Sequence, residues 1–291
     1  MTRQLRIVDV FTEQPLAGNQ LAVVLDAEGL SGALMQKIAR EMNFAETTFV
    51  FPPRDPAHAA HVRIFTPGSE LPFAGHPTIG TAWTLWNEGL VRGDALQFML
   101  EEGVGPVPVR GVNDGDRVRF WMTHPRLDFG EVIADRGRFA SALGLGEAEL
   151  VPDVPIQVAS TGAPFAFAAL KSPEGVDRAR PGGVGPGVAV FIFAVAGEDR
   201  LYSRMFAGEV FDIREDPATG SASGPLGGFV VKYGLVPRQP KVSLISEQGT
   251  KMGRQSFIHI ELAYGSDPDI PEHIEVGGAV CPVVSGTLSD F

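Results

Sequence analysis

The stretch Gly75-His76-Pro77-Thr78-Ile79-Gly80-Thr81-Ala82 is answered later in the chain by Asp216-Pro217-Ala218-Thr219-Gly220-Ser221-Ala222-Ser223-Gly224. Each is a turn rich in Gly, Pro, Ser or Thr that feeds a helix. Upstream, Arg63-Ile64-Phe65-Thr66 is echoed by Arg204-Met205-Phe206-Ala207. Downstream, both predicted helices stop at Gly-Leu-Val, beginning at Gly89 and Gly234, and a strand then runs to Glu102-Gly103 or Gln248-Gly249. Matches in the same order predict two copies of one α+β unit, joined near residues 112–128. The expected halves are 1–118, with strand 279–291 packing back onto it, and 119–278.

Short runs rich in Val, Ile and Phe predict strands at Arg6–Phe11, Ala22–Leu25, Thr48–Phe51, Val62–Phe65, Leu96–Leu100, Val118–Trp121, Phe165–Leu170, Ala189–Val195, Ser203–Phe206, Lys241–Ser246 and Ser256–Leu262. Helices are fewer. Ser31 caps one to Met42, with Leu34, Ile38 and Met42 on its inner face. Others span about Thr78–Glu88, with Trp83 and Trp86 inward, Arg136–Leu143, and Ser221–Tyr233.

The 291 residues are 44% apolar and 20% charged, enough for a sizeable core. A net charge of −11 argues against nucleic acid or an anionic membrane as partner. The start, MTRQLRIVDVF, reads as no signal peptide, and the longest apolar run, Val188–Ala196, is far short of a membrane helix. A cytoplasmic protein is expected. The single cysteine, Cys281, excludes an internal disulfide framework and a multi-cysteine zinc site. It is expected to be a small buried side chain on a terminal strand. No glycine-rich phosphate loop opens a helix, so nucleotide binding has no support.

Related halves commonly enclose a ligand cleft, and here each half would offer a helix N-terminus, which suits a small carboxylic acid. His76, at a helix start after a glycine, is expected to point outward, and the helix end should keep it neutral. Asp216 or Ser221 could do no more than cap a helix. Yet Thr219, Gly220 and Ser221 crowd several donors into one turn, and the glycine admits a close ligand. Glu46, flanked by Phe44, Ala45, Phe49 and Val50, sits where apolar surroundings would suit it to proton transfer. The other histidines show no metal-ligand spacing.

With these stretches in view, the chain resembles the PhzF-like family of isomerases, named for phenazine biosynthesis, within the group sharing the diaminopimelate epimerase fold. The likeness runs through Phe11, Gly18-Asn19, Ala45-Glu46-Thr47-Thr48-Phe49, Phe65-Thr66-Pro67, the Gly75–Ala82 turn and Glu215–Ala222. It implies two similar halves related by pseudo-twofold symmetry, each a curved, mostly antiparallel sheet or barrel around a central helix, with the site between them. It implies that Glu46 is the general acid/base, that His76 and Asp216 hold and polarise the substrate, and that Gly75, Gly220 and Ser221 surround it. In the phenazine enzyme the substrate is a dihydro-hydroxyanthranilic acid, isomerised without cofactor or metal. A homodimer is implied as well. The chain departs from the family at Ala45, where serine is frequent, and at Gln20, where proline follows Gly-Asn.

Two other functions fit the same residues. A racemase of this fold would use paired thiols, which one cysteine cannot supply, so it would need other bases. A small-acid binding protein without catalysis would keep the turns and lose the proton transfer.

Overall fold

A computed structural model describes residues 2–91, 96–115, 117–180, 187–207 and 214–289. The described residues fall into two compact units, divided at Thr123/His124 and again at Val276/Gly277. The last two residues of the predicted strand 279–291 lie outside the described residues.

The first unit runs β1 (Arg3–Val10), β2 (Asn19–Val24), α1 (Gly32–Met42), β3 (Glu46–Phe51), β4 (Ala60–Phe65), β5 (Glu70–Leu71), α2 (Gly75–Asn87), β6 (Gln97–Glu102), β7 (Gly105–Asp114) and β8 (Arg117–Thr123). Antiparallel neighbours are β1–β2, β3–β4, β4–β5, β6–β7 and β7–β8. Two pairs are parallel, β2–β3 and β4–β6, and each needs a crossover. The crossovers are α1 and α2.

The second unit opens with β9 (Asp128–Ile133) and α3 (Arg136–Ala142) and then repeats that order: β10 (Ile156–Ser160), β11 (Pro164–Ala169), α4 (Pro173–Arg178), β12 (Ala189–Val195), β13 (Arg200–Phe206), β14 (Glu215–Asp216), α5 (Gly220–Lys232), β15 (Lys241–Gln248), β16 (Ser256–Ala263) and β17 (His273–Gly278), whose last two residues fall to the first unit. Its parallel pairs are β11–β12 and β13–β15, bridged by α4 and α5. Strand β18 (Val280–Leu288) pairs antiparallel with β1 in the first unit, as β9 pairs with β10 in the second. The fold is therefore α+β, in two similar halves, each a mostly antiparallel sheet around a central helix.

The repeat extends to side chains. Phe65 stands opposite Glu70, and Phe206 opposite Glu215. Arg63 donates to both Glu70 oxygens at 2.7 and 2.6 Å, and Arg204 to both Glu215 oxygens at 2.7 and 2.9 Å. Each guanidinium also lies over the following phenylalanine, at 5.1 Å for Arg63 and 4.7 Å for Arg204.

Helices α2 and α5 are each 13 residues long and buried along most of their length. A helix enclosed on all sides carries no polar stripe, and small residues let the sheet close on it. A Cβ on Gly80 would stand 2.6 Å from Leu21 and 2.8 Å from Val10. In the second unit Phe229 of α5 packs its ring 5.7 Å from Phe167 and 5.8 Å from Phe193. No helix among the described residues is long and apolar enough to cross a membrane.

Several expectations need correction. The inner face of α1 is Met35, Ile38 and Ala39, with Leu34 and Met42 at its margin. Trp86 is only half-buried near the exposed end of α2. Cys281 is half-buried on β18 rather than buried, because that strand alternates burial along its length. Strands β5, β7, β9, β10, β14 and β17 were not expected; β7 and β9 carry glycine or proline and charge, and β5 and β14 are two residues long.

Candidate active site

Glu46 is delivered by a helix stop. Asn43 ends α1 in the left-handed conformation, φ 53°, with its N–H bonded to Ala39, and the chain enters β3 three residues later. Glu46 is the first residue of that strand, opposite Leu21 of β2. Its side chain is mostly buried.

His76 is the second residue of α2 and is 4% exposed. The outward-pointing ring expected from the turn is thus an inward one, because the whole first turn of this central helix is enclosed. Its Nε2 lies 3.5 Å from Glu46 Oε2 and makes no hydrogen bond among the described residues. On the other side the Asn19 amide nitrogen lies 3.1 Å from Nδ1. That amide donating to Nδ1 leaves the proton of the neutral ring on Nε2, the nitrogen facing Glu46, whereas a proton on Nδ1 would serve the Gln20 carbonyl instead. Burial pushes the imidazole down to about 3, against a backbone hydrogen bond at Gln20 that pulls it up. Neutrality was expected from the helix end; the main cause is loss of water.

The helix starts differ from the others in one respect. Ser31, Asp135 and Ser172 cap α1, α3 and α4 with their side chains. The cap residues of α2 and α5, Ala74 and Thr219, make no side-chain cap. Gly75 and Gly220 are the first helical residues of each. First-turn N–H groups without a cap are donors in want of an acceptor.

In the second unit Asp216 is buried at the end of β14, opposite Met205. It does not cap α5, nor does Ser221. Instead it accepts a 2.6 Å hydrogen bond from the Thr219 hydroxyl. Gln248, fully buried, ties this turn together. Its amide donates to Thr219 Oγ1 at 2.9 Å and to the Asp216 carbonyl at 2.8 Å, and accepts from Thr219 N at 3.1 Å. Gly220 is buried and Ser221 half-buried beside it.

The structure thus brings Glu46 and His76 together in one unit, and Asp216, Thr219, Gly220 and Ser221 together in the other. Sequence reasoning gave no role to Asn19 or Gln248. Both had a signal: Asn19 follows a glycine at φ 67°, and Gln248 belongs to the repeated Glu/Gln-Gly turn. Among the described residues no group of three or more His, Cys, Asp or Glu is gathered to hold a metal.

The family model described as phenazine biosynthesis-like protein matches residues 8–286. The chain is 37% identical over 258 residues to the trans-2,3-dihydro-3-hydroxyanthranilate isomerase of Pseudomonas aeruginosa, spanning 87% of this chain and 88% of that one. It superposes on a Bacillus anthracis phenazine biosynthesis protein of the PhzF family with a TM-score of 0.89, 25% identity and full coverage, 100% of each chain. A probable proline racemase from Agrobacterium radiobacter, 12% identical with a TM-score of 0.66 over 99% of this chain and 93% of that one, shares the fold.

Proposed function

The chain belongs to the PhzF, or phenazine biosynthesis-like, family of isomerases, and on that premise we propose that it moves a proton between two carbons of a small cyclic or unsaturated carboxylic acid, with Glu46 as general acid/base. The observation that carries this reading is the Glu46–His76 pair. A ring that takes up a proton only near pH 3 is no acid at neutrality. It can still donate a hydrogen bond from Nε2 to charge developing on the substrate, at no cost in proton exchange. The carboxylate 3.5 Å away is then the group left to carry the proton.

In the proposed reaction Glu46 removes a proton from an acidic C–H, and the electron pair spreads into the conjugated acid. Glu46 returns the proton to another carbon as the double bond shifts. Nothing is oxidised or reduced. We extend the proposal to the other site residues: Asp216 polarises a substrate, Gly75 lies against it, and Thr219, Gly220 and Ser221 hold a carboxylate. The uncapped helix starts support this, since their free N–H groups suit an anion. The related Pseudomonas enzyme supplies the first substrate to try. The same resemblance supports a homodimer, which light scattering on the purified chain would check.

The experiment is turnover of trans-2,3-dihydro-3-hydroxyanthranilate in D2O, followed by NMR. Wild type should move the double bond and place solvent deuterium at one carbon. Glu46→Gln should lose about 10²- to 10⁴-fold in turnover while keeping its fold. Full turnover by that variant would refute the role of Glu46. Failure of wild type on this acid, with success on another, would move the substrate and keep the chemistry.

A further inference from the structure

Glu102, which the proposed chemistry does not use, closes β6 and is 6% exposed. Its Oε1 lies 2.7 Å from the Thr78 hydroxyl, and that hydroxyl lies 2.8 Å from the Ala74 carbonyl. A hydroxyl has one proton. It can serve either the Ala74 carbonyl or a Glu102 carboxylate, and not both. With that proton on Ala74, the 2.7 Å contact with Glu102 needs a second proton, which an uncharged carboxyl supplies. We propose that Glu102 is a positioning residue for His76: an uncharged carboxylic acid that donates to Thr78 and so fastens the first turn of α2.

The duplicated unit supports this independently. Phe65 and Phe206 are equivalent by their register with Glu70 and Glu215. Four residues before each, His61 pairs with Glu101 and Tyr202 with Glu247. Glu102 is therefore the counterpart of Gln248. In that unit Ser223 Oγ donates to the Thr219 carbonyl at 2.9 Å, just as Thr78 is taken to donate to Ala74. The Gln248 amide, an obligate donor, fastens the start of α5. A carboxylic acid has nearly the shape of an amide and one donor, which here reaches Thr78 where the Gln248 amide reaches Thr219 and the Asp216 carbonyl, but only while it keeps its proton.

The surroundings favour the neutral form. Glu102 Oε2 is buried without a hydrogen-bond partner among the described residues, a cost a charged carboxylate would feel most. Burial pushes the carboxyl up to about 8, even with Thr78 pulling the other way. Arg54, His61, Arg63 and Glu70 line the same cleft of about 410 Å³, and none of them is ion-paired with Glu102. Arg63 and Glu70 satisfy each other at 2.6 Å. His61 is lowered by burial and by Arg54, and His76, on α2, is neutral. Once ionised, Glu102 would draw the single Thr78 proton away from the Ala74 carbonyl, and the turn that carries His76 would loosen.

This proposal rests on the role given to His76, yet its main test needs no substrate. With side-chain ¹³C-labelled glutamate, the signal lost in Glu102→Gln should titrate near pH 8 in wild type. The His76 ¹⁵N signals should shift over that same range in wild type and stay level in Glu102→Gln. With trans-2,3-dihydro-3-hydroxyanthranilate as probe, Glu102→Leu should lower kcat about tenfold, and Glu102→Gln should restore it and remove the alkaline fall, with KM unchanged. A carboxyl titrating below pH 6, or His76 signals indifferent to Glu102, would overturn the proposal. If the titrations hold while the probe is not turned over, the substrate assignment fails and the proposal stands.

Discussion

Acidifying the protein from pH 7 to pH 5 should cost it stability through His76, by an amount the burial of the ring sets. A free imidazole ionises at 6.5 and this one at about 3. Below 6.5 the unfolded chain gains a proton that the folded chain refuses, so stability falls as pH falls, down to the folded value. By pH 5 the unfolded ring is 1.5 units past its midpoint. At ~1.4 kcal/mol per unit, the loss is about 2 kcal/mol. His124, lowered to about 4 by burial, adds a similar loss in the same window. Glu102 opposes them: its folded value is raised, so stability present at low pH is lost as pH rises from 4.5 toward 8, and acidification returns about 2 kcal/mol of it. The wild-type curve alone is therefore a small difference of larger parts. The diagnostic quantity is the comparison with His76→Gln. Urea unfolding at pH 7 and pH 5 should show the variant losing about 2 kcal/mol less than wild type across that interval. Imidazole ¹⁵N spectra should show a neutral ring protonated on Nε2 at pH 5. Parallel stability curves, or an imidazolium spectrum at pH 5, would refute the claim that burial holds this ring neutral.

Replacing Gln248 by Leu should leave Thr219 N, Thr219 Oγ1 and the Asp216 carbonyl short of a partner, costing about 2–4 kcal/mol by chemical denaturation. A loss under 0.5 kcal/mol would show that the turn stands without it. Gly80→Ala should lower the melting temperature: overpacking Leu21 and Val10 costs about 1–3 kcal/mol and outweighs the roughly 1 kcal/mol of helix propensity gained. A higher melting temperature would mean the sheet yields there. Arg204→Met should cost about 3–5 kcal/mol, since it strands the mostly buried Glu215 carboxylate and frees the carbonyls of Val176 and Ala179. Arg63→Met, at the more exposed equivalent pair, should cost under ~1 kcal/mol. Equal losses would contradict the burial argument.

The duplication was legible because turn chemistry is written locally. The Gly-rich helix starts, the Arg-x-Phe strands and the glycines at φ 68° and 65° that end α2 and α5 all depend on neighbouring residues. Glu46 and His76 were legible as candidates for the same reason. What could not be read was which way a side chain faces once a helix is enclosed. The ring of His76 at an exposed helix start would point to water. Its burial follows from strands β1, β2, β3, β7 and β8 closing on α2, and no local spacing encodes that closure. The partners Asn19 and Gln248 sit 57 and 29 residues from His76 and Thr219, beyond the reach of any local pattern. Strand β7 was missed because its prolines and glycines break the local pattern, although its partners β6 and β8 hold it.

Repetition makes the differences between the units informative. Thr47 stands opposite Phe65, and Val190 opposite Phe206, so the place of Glu46 is taken by Ala189 in the second unit. The helices α2 and α5 begin at Gly75 and Gly220, so the place of His76 is taken by Ser221. One unit therefore carries a carboxylate and an imidazole where the other carries a methyl group and a hydroxyl. Cys281, on β18, is the counterpart of neither Glu46 nor His76. In the proposed chemistry Glu46 both takes and returns the proton, so both carbons must be offered to the same side of it. That demand suits a shift of a double bond within a flat conjugated acid, and it is why the proposed chemistry is an isomerisation in place rather than an inversion.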